Sequence, residues 1–272
     1  MAYIPNENRY SQMEYRRCGN SGLKLPLLSL GLWHNFGDTN SLERMAQLCE
    51  TAFDGGITHF DLANNYGPPA GAAERNFGRL LKTIFAGHRD ELVISTKAGY
   101  DMWDGPYGDW GSRKYLLASL DQSLKRLGVD YVDIFYHHRP DPETPLDETM
   151  GALAQAVQSG KALYVGLSNY DGETMRRAAD ILEQLHCPYI INQNRYSILD
   201  RETERNGILD ASADRKKGVI IYSPLAQGML TDRYLHGIPE DSRIRTDGRF
   251  LQASQLTEER LAQLRQLQAI AQ

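Results

Sequence analysis

Cysteine is scarce in this chain. There are three in 272 residues, Cys18, Cys49 and Cys187, far apart and never as C-x-x-C. That excludes a disulfide framework or a thiolate zinc site as an organising device. Long apolar runs are missing too. The longest are about six to eight residues, too short to cross a bilayer, and residues 1–12 (MAYIPNENRYSQ) lack the basic-then-apolar order of an export signal. The expectation is a cytoplasmic protein with no membrane partner. Positive charge is in deficit, with 30 Lys and Arg against 35 Asp and Glu for a net charge of −5. Such a surface repels phosphates, so no nucleic acid is expected. Residues 67–78 (GPPAGAAERNFG) are glycine-rich, yet they lack a terminal Gly-Lys-Ser/Thr and do not fit G-x-G-x-x-G, so they read as a loop.

What the chain does have is repetition. Short apolar runs each end in a polar signature at residues 28–34 (LSLGLWH), 59–67 (HFDLANNYG), 93–99 (VISTKAG), 132–140 (VDIFYHHRP), 164–170 (YVGLSNY), 190–196 (IINQNRY) and 219–228 (VIIYSPLAQG). Successive signatures lie roughly 25 to 40 residues apart, room for a strand, a helix and two loops. Helical periodicity fills the gaps at 41–56, 112–128, 146–161, 174–188, 202–218 and 257–272, most of them closing near a Gly that suits a left-handed cap. The fold expected is α/β, a (β/α)8 TIM barrel forming one domain over residues 1–272, with a hairpin at about 15–26 plugging its lower end. The count stops at seven strands. The eighth βα unit is expected to be missing from this chain, because an open seven-stranded barrel leaves two parallel edges bare.

In such a barrel the C-terminal strand ends converge on one mouth. Asp61, Tyr66, Lys97, His138, Ser168, Asn169, Gln193, Tyr222 and Ser223 would then share a site despite their spread in sequence. A tyrosine is a weak acid, with an ordinary pKa near 10, until a neighbouring ammonium stabilises its phenolate. Lys97 is the candidate ammonium, and Asp61 the carboxylate that holds it. His138 can donate a hydrogen bond to a carbonyl oxygen, giving an acid and an electrophilic pocket where hydride addition builds an oxyanion. No serine or cysteine sits beside a base in a nucleophile motif. Singly, Asp61 also reads as a cap or loop anchor, and Tyr66 and Lys97 as rim residues. His137 and His138 are not expected to share a metal, since adjacent strand residues face opposite ways.

The D-x-x-x-x-Y motif of Asp61 and Tyr66, the S-T-K of residues 95–97 and His138 resemble the catalytic tetrad of the aldo-keto reductases. The resemblance runs from about Tyr15 to the last residue. Residues 28–37, 59–69, 98–108 and 223–230 are similar to a bacterial branch that reduces L-glyceraldehyde 3-phosphate and is related to potassium-channel β subunits. It implies an NADPH-dependent aldehyde reductase in which Tyr66 donates the proton, Asp61 and Lys97 tune it, and His138 orients the carbonyl. It also implies that Ser168, Asn169 and Gln193 meet the nicotinamide carboxamide and that Tyr222 stacks on the ring. Ser223, Leu225, Gln227 and Gly228 would wrap the pyrophosphate, with Arg233 and Arg243 adding positive charge. Trp33 is expected as a wall for cofactor and substrate. The substrates implied are small aldehydes, L-glyceraldehyde 3-phosphate and methylglyoxal, and the assembly a homo-oligomer. The alternative is an NADP(H)-sensing binding subunit like the channel relatives, although those carry a different residue at the position of His138.

The loop at 100–114 (YDMWDGPYGDWGSRK) sets Trp103, Tyr107 and Trp110 among glycines, as a loop closing an apolar wall over the mouth would. Trp103 is the expected substrate contact, and Arg113 or Lys114 the cation that meets a substrate phosphate. Surface charge at a helix start is the rival reading.

Overall fold

A computed structural model describes residues 3–271. They form two compact units. The first runs to Gln193 and takes up Asn206–Ile220 again; the second comprises Asn194–Arg205 and Ile221–Gln272.

The first unit opens with the expected hairpin. Strands β1 (Tyr15–Arg17) and β2 (Lys24–Pro26) pair antiparallel, Tyr15 facing Pro26. Gly19 takes the left-handed conformation at φ 56° in the turn between them. A side chain there would strike the Lys216 carbonyl, 2.2 Å from the position of its Cβ. Cys18 and Leu25 pack beneath with Ile134, Tyr136, Ile190 and Ile191. The hairpin thus covers one end of the strands, leaving the other end for chemistry.

Strand and helix then alternate: β3 (Leu30–Gly31), α1 (Leu42–Asp54), β4 (His59–Asp61), α2 (Ala72–Lys82), β5 (Val93–Ala98), α3 (Arg113–Leu127), β6 (Val132–His137), α4 (Leu146–Gln158), β7 (Ala162–Ser168), α5 (Gly172–Gln184) and β8 (Tyr189–Arg195). After β8 come two short helices, α6 (Glu202–Arg205) and α7 (Ile208–Asp214), and then β9 (Gly218–Tyr222). One seven-stranded sheet takes β3 to β9 in chain order. Among the described residues it has no eighth strand. The pairings from β3 to β8 are parallel, as connections through helices demand. All six residues of β6 are buried, the mark of a strand covered on both faces.

The helices start where their sequences say. Ser41, Ser112 and Asp171 each accept a backbone N–H from the first turn of α1, α3 and α5, and Gly128 ends α3 at φ 69°. Two expectations need correction. Residues 67–78 are only half loop, because α2 begins at Ala72 and buries Ala72, Ala73, Phe77 and Leu80. Phe77 joins Phe53, Phe60 and Phe85 in an aromatic cluster, with Phe60–Phe77 centroids 5.2 Å apart. The single helix expected at 202–218 is broken at Gly207, whose φ of 75° cannot continue a right-handed helix. Its carbonyl lies where any side chain on Gly172 would have to go.

The second unit holds the ends of β8 and β9, helix α6, three single-turn stretches (Ala226–Gly228, Asp232–Tyr234 and Ala253–Gln255), a short helix α8 (Arg243–Thr246) and α9 (Glu258–Ala271). No helix among the described residues is long and apolar enough to cross a membrane.

Candidate active site

Parallel register brings the strand ends of the first unit together. Asp61 closes β4 opposite Ser95, Lys97 lies near the end of β5, and Ser168 closes β7 opposite Gln193. Lys97 is wholly buried. Its Nζ donates to Asp61 Oδ2 at 2.5 Å and to the Leu62 carbonyl at 2.8 Å, which uses two of its three protons. The Tyr66 ring centroid is 5.2 Å from that nitrogen, and the Tyr136 ring lies at 5.5 Å. Gly166 makes room for Tyr136, since a Cβ there would sit 2.3 Å from the ring. The rings of Tyr66 and His138 are 6.0 Å apart and steeply inclined. Carboxylate, ammonium, phenol and imidazole therefore stand in one cluster, as the sequence order predicts.

Burial decides the charges. It pulls the Lys97 ammonium below its ordinary pKa despite the attraction of Asp61. It pushes Asp61 upward, but the Lys97 charge and the hydrogen bonds from Lys97 and Ser95 outweigh it and hold the carboxyl below its usual range. His138 is pushed well below ordinary imidazole by burial and then by the charge of Lys97, so it is neutral at physiological pH. His59 and His137 are lowered to about 4, chiefly by burial.

These histidines make stability depend on pH. Below the unfolded value near 6.5 the unfolded chain takes up protons that the native imidazoles refuse. Stability is therefore intact above about 6.5 and declines toward about 4, where His59 and His137 themselves titrate. The slope is about 1 kcal/mol per histidine per pH unit. A melting temperature unchanged between pH 7 and pH 5 would contradict this.

Asn169 donates to the His138 carbonyl at 2.9 Å and to Ser168 Oγ at 3.2 Å, and its own N–H reaches the Gln193 carbonyl at 3.0 Å. The three residues expected to hold a carboxamide are thus one group, and their amides and hydroxyl carry the donors and acceptors such a ligand needs. Trp33 lies 6.3 Å from the Tyr66 ring, centroid to centroid. In the second unit, Ser223 and Gln227 have φ of 57° and 63°, Gly228 has φ 93°, and Arg243 Nη1 donates to Gln227 Oε1 at 2.6 Å. Arg233 is paired with Asp241 at 2.7 Å. Tyr222, Ser223 and Leu225 belong to this unit as well.

The loop after β5 departs from expectation. Arg113 is turned onto α4, where Nη1 donates to Gln155 Oε1 at 2.7 Å and the backbone N–H to Glu148, contacts that favour the reading as surface charge at a helix start. Lys114 lies over the Tyr107 ring at 5.3 Å. The cation that grips the loop is Arg139, directly after His138. Its guanidinium is 3.6 Å from the Trp110 ring centroid and 4.2 Å from that of Tyr100, and donates to both Asp109 oxygens at 2.9 Å. Tyr100 in turn meets the His138 ring edge-on at 4.6 Å, while Trp103 packs on Tyr115 at 5.2 Å. Arg139→Gln should loosen this wall and raise the KM of a substrate held against it by about tenfold, the loss of one stacked, charge-assisted contact. An unchanged KM in steady-state assays would show that the clasp has no bearing on substrate.

Ser29, His59 and Ser95, to which the sequence assigns no role although Ser95 opens the S-T-K motif, line up behind Asp61. Ser95 donates to Asp61 Oδ1 at 2.6 Å, His59 Nε2 is 2.9 Å from Ser95 Oγ, and Ser29 Oγ is 2.8 Å from His59 Nδ1. The alternation of His59 with Asp61, and of Ser95 with Lys97, was the available signal. His137 has a separate task, its Nδ1 lying 2.6 Å from the Tyr170 hydroxyl.

A sequence model of the Aldo/keto reductase family matches residues 27–272. Over its full length the chain is 58% identical, across 275 residues, to the L-glyceraldehyde 3-phosphate reductase of Escherichia coli (strain K12), covering 80% of that protein. The reductase of the same name from Escherichia coli O157:H7 gives the same identity and coverage. The probable voltage-gated potassium channel subunit beta of Arabidopsis thaliana is 35% identical over 235 residues, which are 85% of this chain and 70% of that protein.

Proposed function

Because the chain belongs to the aldo/keto reductase family, we propose that it reduces small aldehydes with NADPH, L-glyceraldehyde 3-phosphate first among them and methylglyoxal as a second substrate. The observation that carries this reading is the buried Lys97–Asp61 pair beside Tyr66, with a neutral His138 across from it. A buried ammonium is costly even when paired, and here it stands beside the ring on which a phenolate would form.

The cofactor, when bound, supplies the hydride. Ser168, Asn169 and Gln193 are assigned to its carboxamide and Tyr222 to the face of its ring, with Trp33 and Asp61 beside it. Ser223, Leu225, Gln227, Gly228, Arg233 and Arg243 are assigned to its phosphates by likeness to the family. The chemistry of this chain is then proton chemistry. Tyr66 gives its phenolic proton to the carbonyl oxygen, and the third N–H of Lys97 stabilises the phenolate left behind. Asp61 keeps that ammonium charged and aimed. His138 donates a hydrogen bond to the same oxygen. Its buried Nδ1 has no partner among the described residues, and a bare acceptor is tolerated there better than an unmet donor, which puts the proton on Nε2. Trp103 and Trp33 form apolar walls suited to a short carbon chain.

The cysteines, all free and buried, suit a reducing cytoplasm, where we place the protein as a homo-oligomer. The rival reading, a cofactor-sensing subunit, follows from the channel relative, but its 35% identity is the weaker likeness and it gives the acid cluster no task. The test is to mix purified protein with NADPH and DL-glyceraldehyde 3-phosphate and follow loss of reduced-nicotinamide absorbance, with NADH and methylglyoxal in parallel. Sustained NADPH-dependent turnover supports the reductase. Cofactor binding without turnover supports the sensing subunit.

A further inference from the structure

The inner face of two neighbouring strands carries a square of polar side chains. His59 and Asp61 alternate on β4, and Ser95 and Lys97 alternate on β5, with Asp61 and Ser95 in register. All four are buried. The proton inventory of this square has only one solution. Asp61 is a carboxylate paired with Lys97 and can only accept, so the single hydroxyl proton of Ser95 goes to Oδ1, at 2.6 Å. Ser95 Oγ must then accept from His59 Nε2, at 2.9 Å, which fixes the imidazole as its Nε2–H tautomer. His59 Nδ1 is left bare and accepts from the Ser29 hydroxyl at 2.8 Å. The chain of donors runs one way, from a half-buried serine ahead of β3 to the carboxylate.

We propose that Ser95, His59 and Ser29 are positioning residues: by occupying Asp61 Oδ1 they fix the carboxylate plane, so that Oδ2 alone serves Lys97 and the ammonium is held at the phenol. This rests on the reductase reading above. A carboxylate tied by one oxygen only could turn about its last bond and carry Lys97 with it, and small displacements of a proton donor's neighbour cost rate steeply. The charged groups facing the imidazole are Asp61 and Lys97, which act on it in opposite directions, the first favouring and the second opposing its protonation. His59 stays neutral above pH 5, so its donor direction does not change over the working range.

The test compares full-length wild-type protein with Ser95→Ala, His59→Leu, His59→Gln and the double variant Ser95→Ala/His59→Leu. Gln can donate to Ser95 from the place of Nε2; Leu cannot. The expected result is a fall in kcat of about 10- to 100-fold for Ser95→Ala and His59→Leu, with aldehyde KM and NADPH Kd within about twofold of wild type. His59→Gln should recover most of the loss, and the double variant should be no worse than Ser95→Ala, since both break one chain. Wild-type kcat in Ser95→Ala, or a Gln variant no better than Leu, overturns the proposal. Nitrogen-15 NMR of the wild-type protein labelled in histidine needs no variant to fold and no turnover. It should show His59 protonated at Nε2 and not titrating from pH 5.5 to 9; an Nδ1–H tautomer or a titration in that range overturns the proposal even where the enzyme is active. An inactive wild type with the expected tautomer would instead count against the reductase reading alone.

Discussion

Tyr66→Phe should lower kcat by about 10²- to 10⁴-fold, the usual worth of a general acid, and leave NADPH Kd within about twofold. The substitution removes one oxygen and keeps the ring. The 5.2 Å contact of Lys97 with that ring and the 6.0 Å approach of His138 persist, so the architecture of the cluster is a control within the same variant. Steady-state rates beside fluorescence titration of NADPH separate the two quantities. A Phe variant retaining a tenth or more of wild-type kcat would mean that the proton comes from elsewhere, with water or His138 the first candidates.

Lys97→Met should be severe in a different way, because it strikes stability and rate together. Asp61 would remain buried without its partner, and breaking a buried pair from one side costs about 3–5 kcal/mol. Equilibrium urea unfolding measures it. Adding Asp61→Asn removes the stranded charge, so the double variant should regain stability but not activity. The sign of the pH dependence near Asp61 also reverses. In the native protein the Asp61 carboxyl lies below its ordinary value, so its contribution is present above about 3.8 and lost as pH falls through the lower folded value. Without the ammonium, burial raises the carboxyl, so relative to wild type the single variant should recover stability on acidification as Asp61 takes up a proton. A Lys97→Met protein as stable as wild type at neutral pH would show that the pair contributes nothing to the fold.

Legibility differed sharply between elements. Strand ends could be read because a buried parallel strand is a continuous apolar run and its polar terminus is conspicuous; that located Asp61, Lys97, His138, Ser168 and Gln193. Tyr66 stands in the same signature as Asp61, and the D-x-x-x-x-Y pattern they make resembles the family's motif. Helix α2 was hidden because its entry through two prolines and Gly71 has loop composition, while the Phe77 face that fastens it is set by long-range packing. Arg113 looked like a phosphate ligand because it adjoins the aromatic loop. Its direction is set by Gln155 and Glu148, which no local pattern connects to it. Arg139 was passed over for the converse reason, its partners Trp110 and Asp109 lying some way upstream in the chain. His59 and Ser95 resemble ordinary strand interior until the register is known, since only the pairing of Asp61 with Ser95 puts them side by side.

The hairpin at the start of the first unit sets an order of assembly. Asn20 N–H bonds the Lys216 carbonyl at 3.0 Å, and Gly19 and Gly218 admit no side chain at the junction. This seam joins segments on either side of the intervening strands and helices, the kind of distant pairing whose loop entropy must be met before any contact repays it. A growing chain therefore leaves Cys18 and Leu25 uncovered until β6 and β8 are made, and the seam at Gly19 closes only when Lys216 and Gly218 arrive. The lid of the molecule's inert end is made before the strands it covers and fastened after them, so an interruption of synthesis before β9 would leave the seam beneath Tyr136 open.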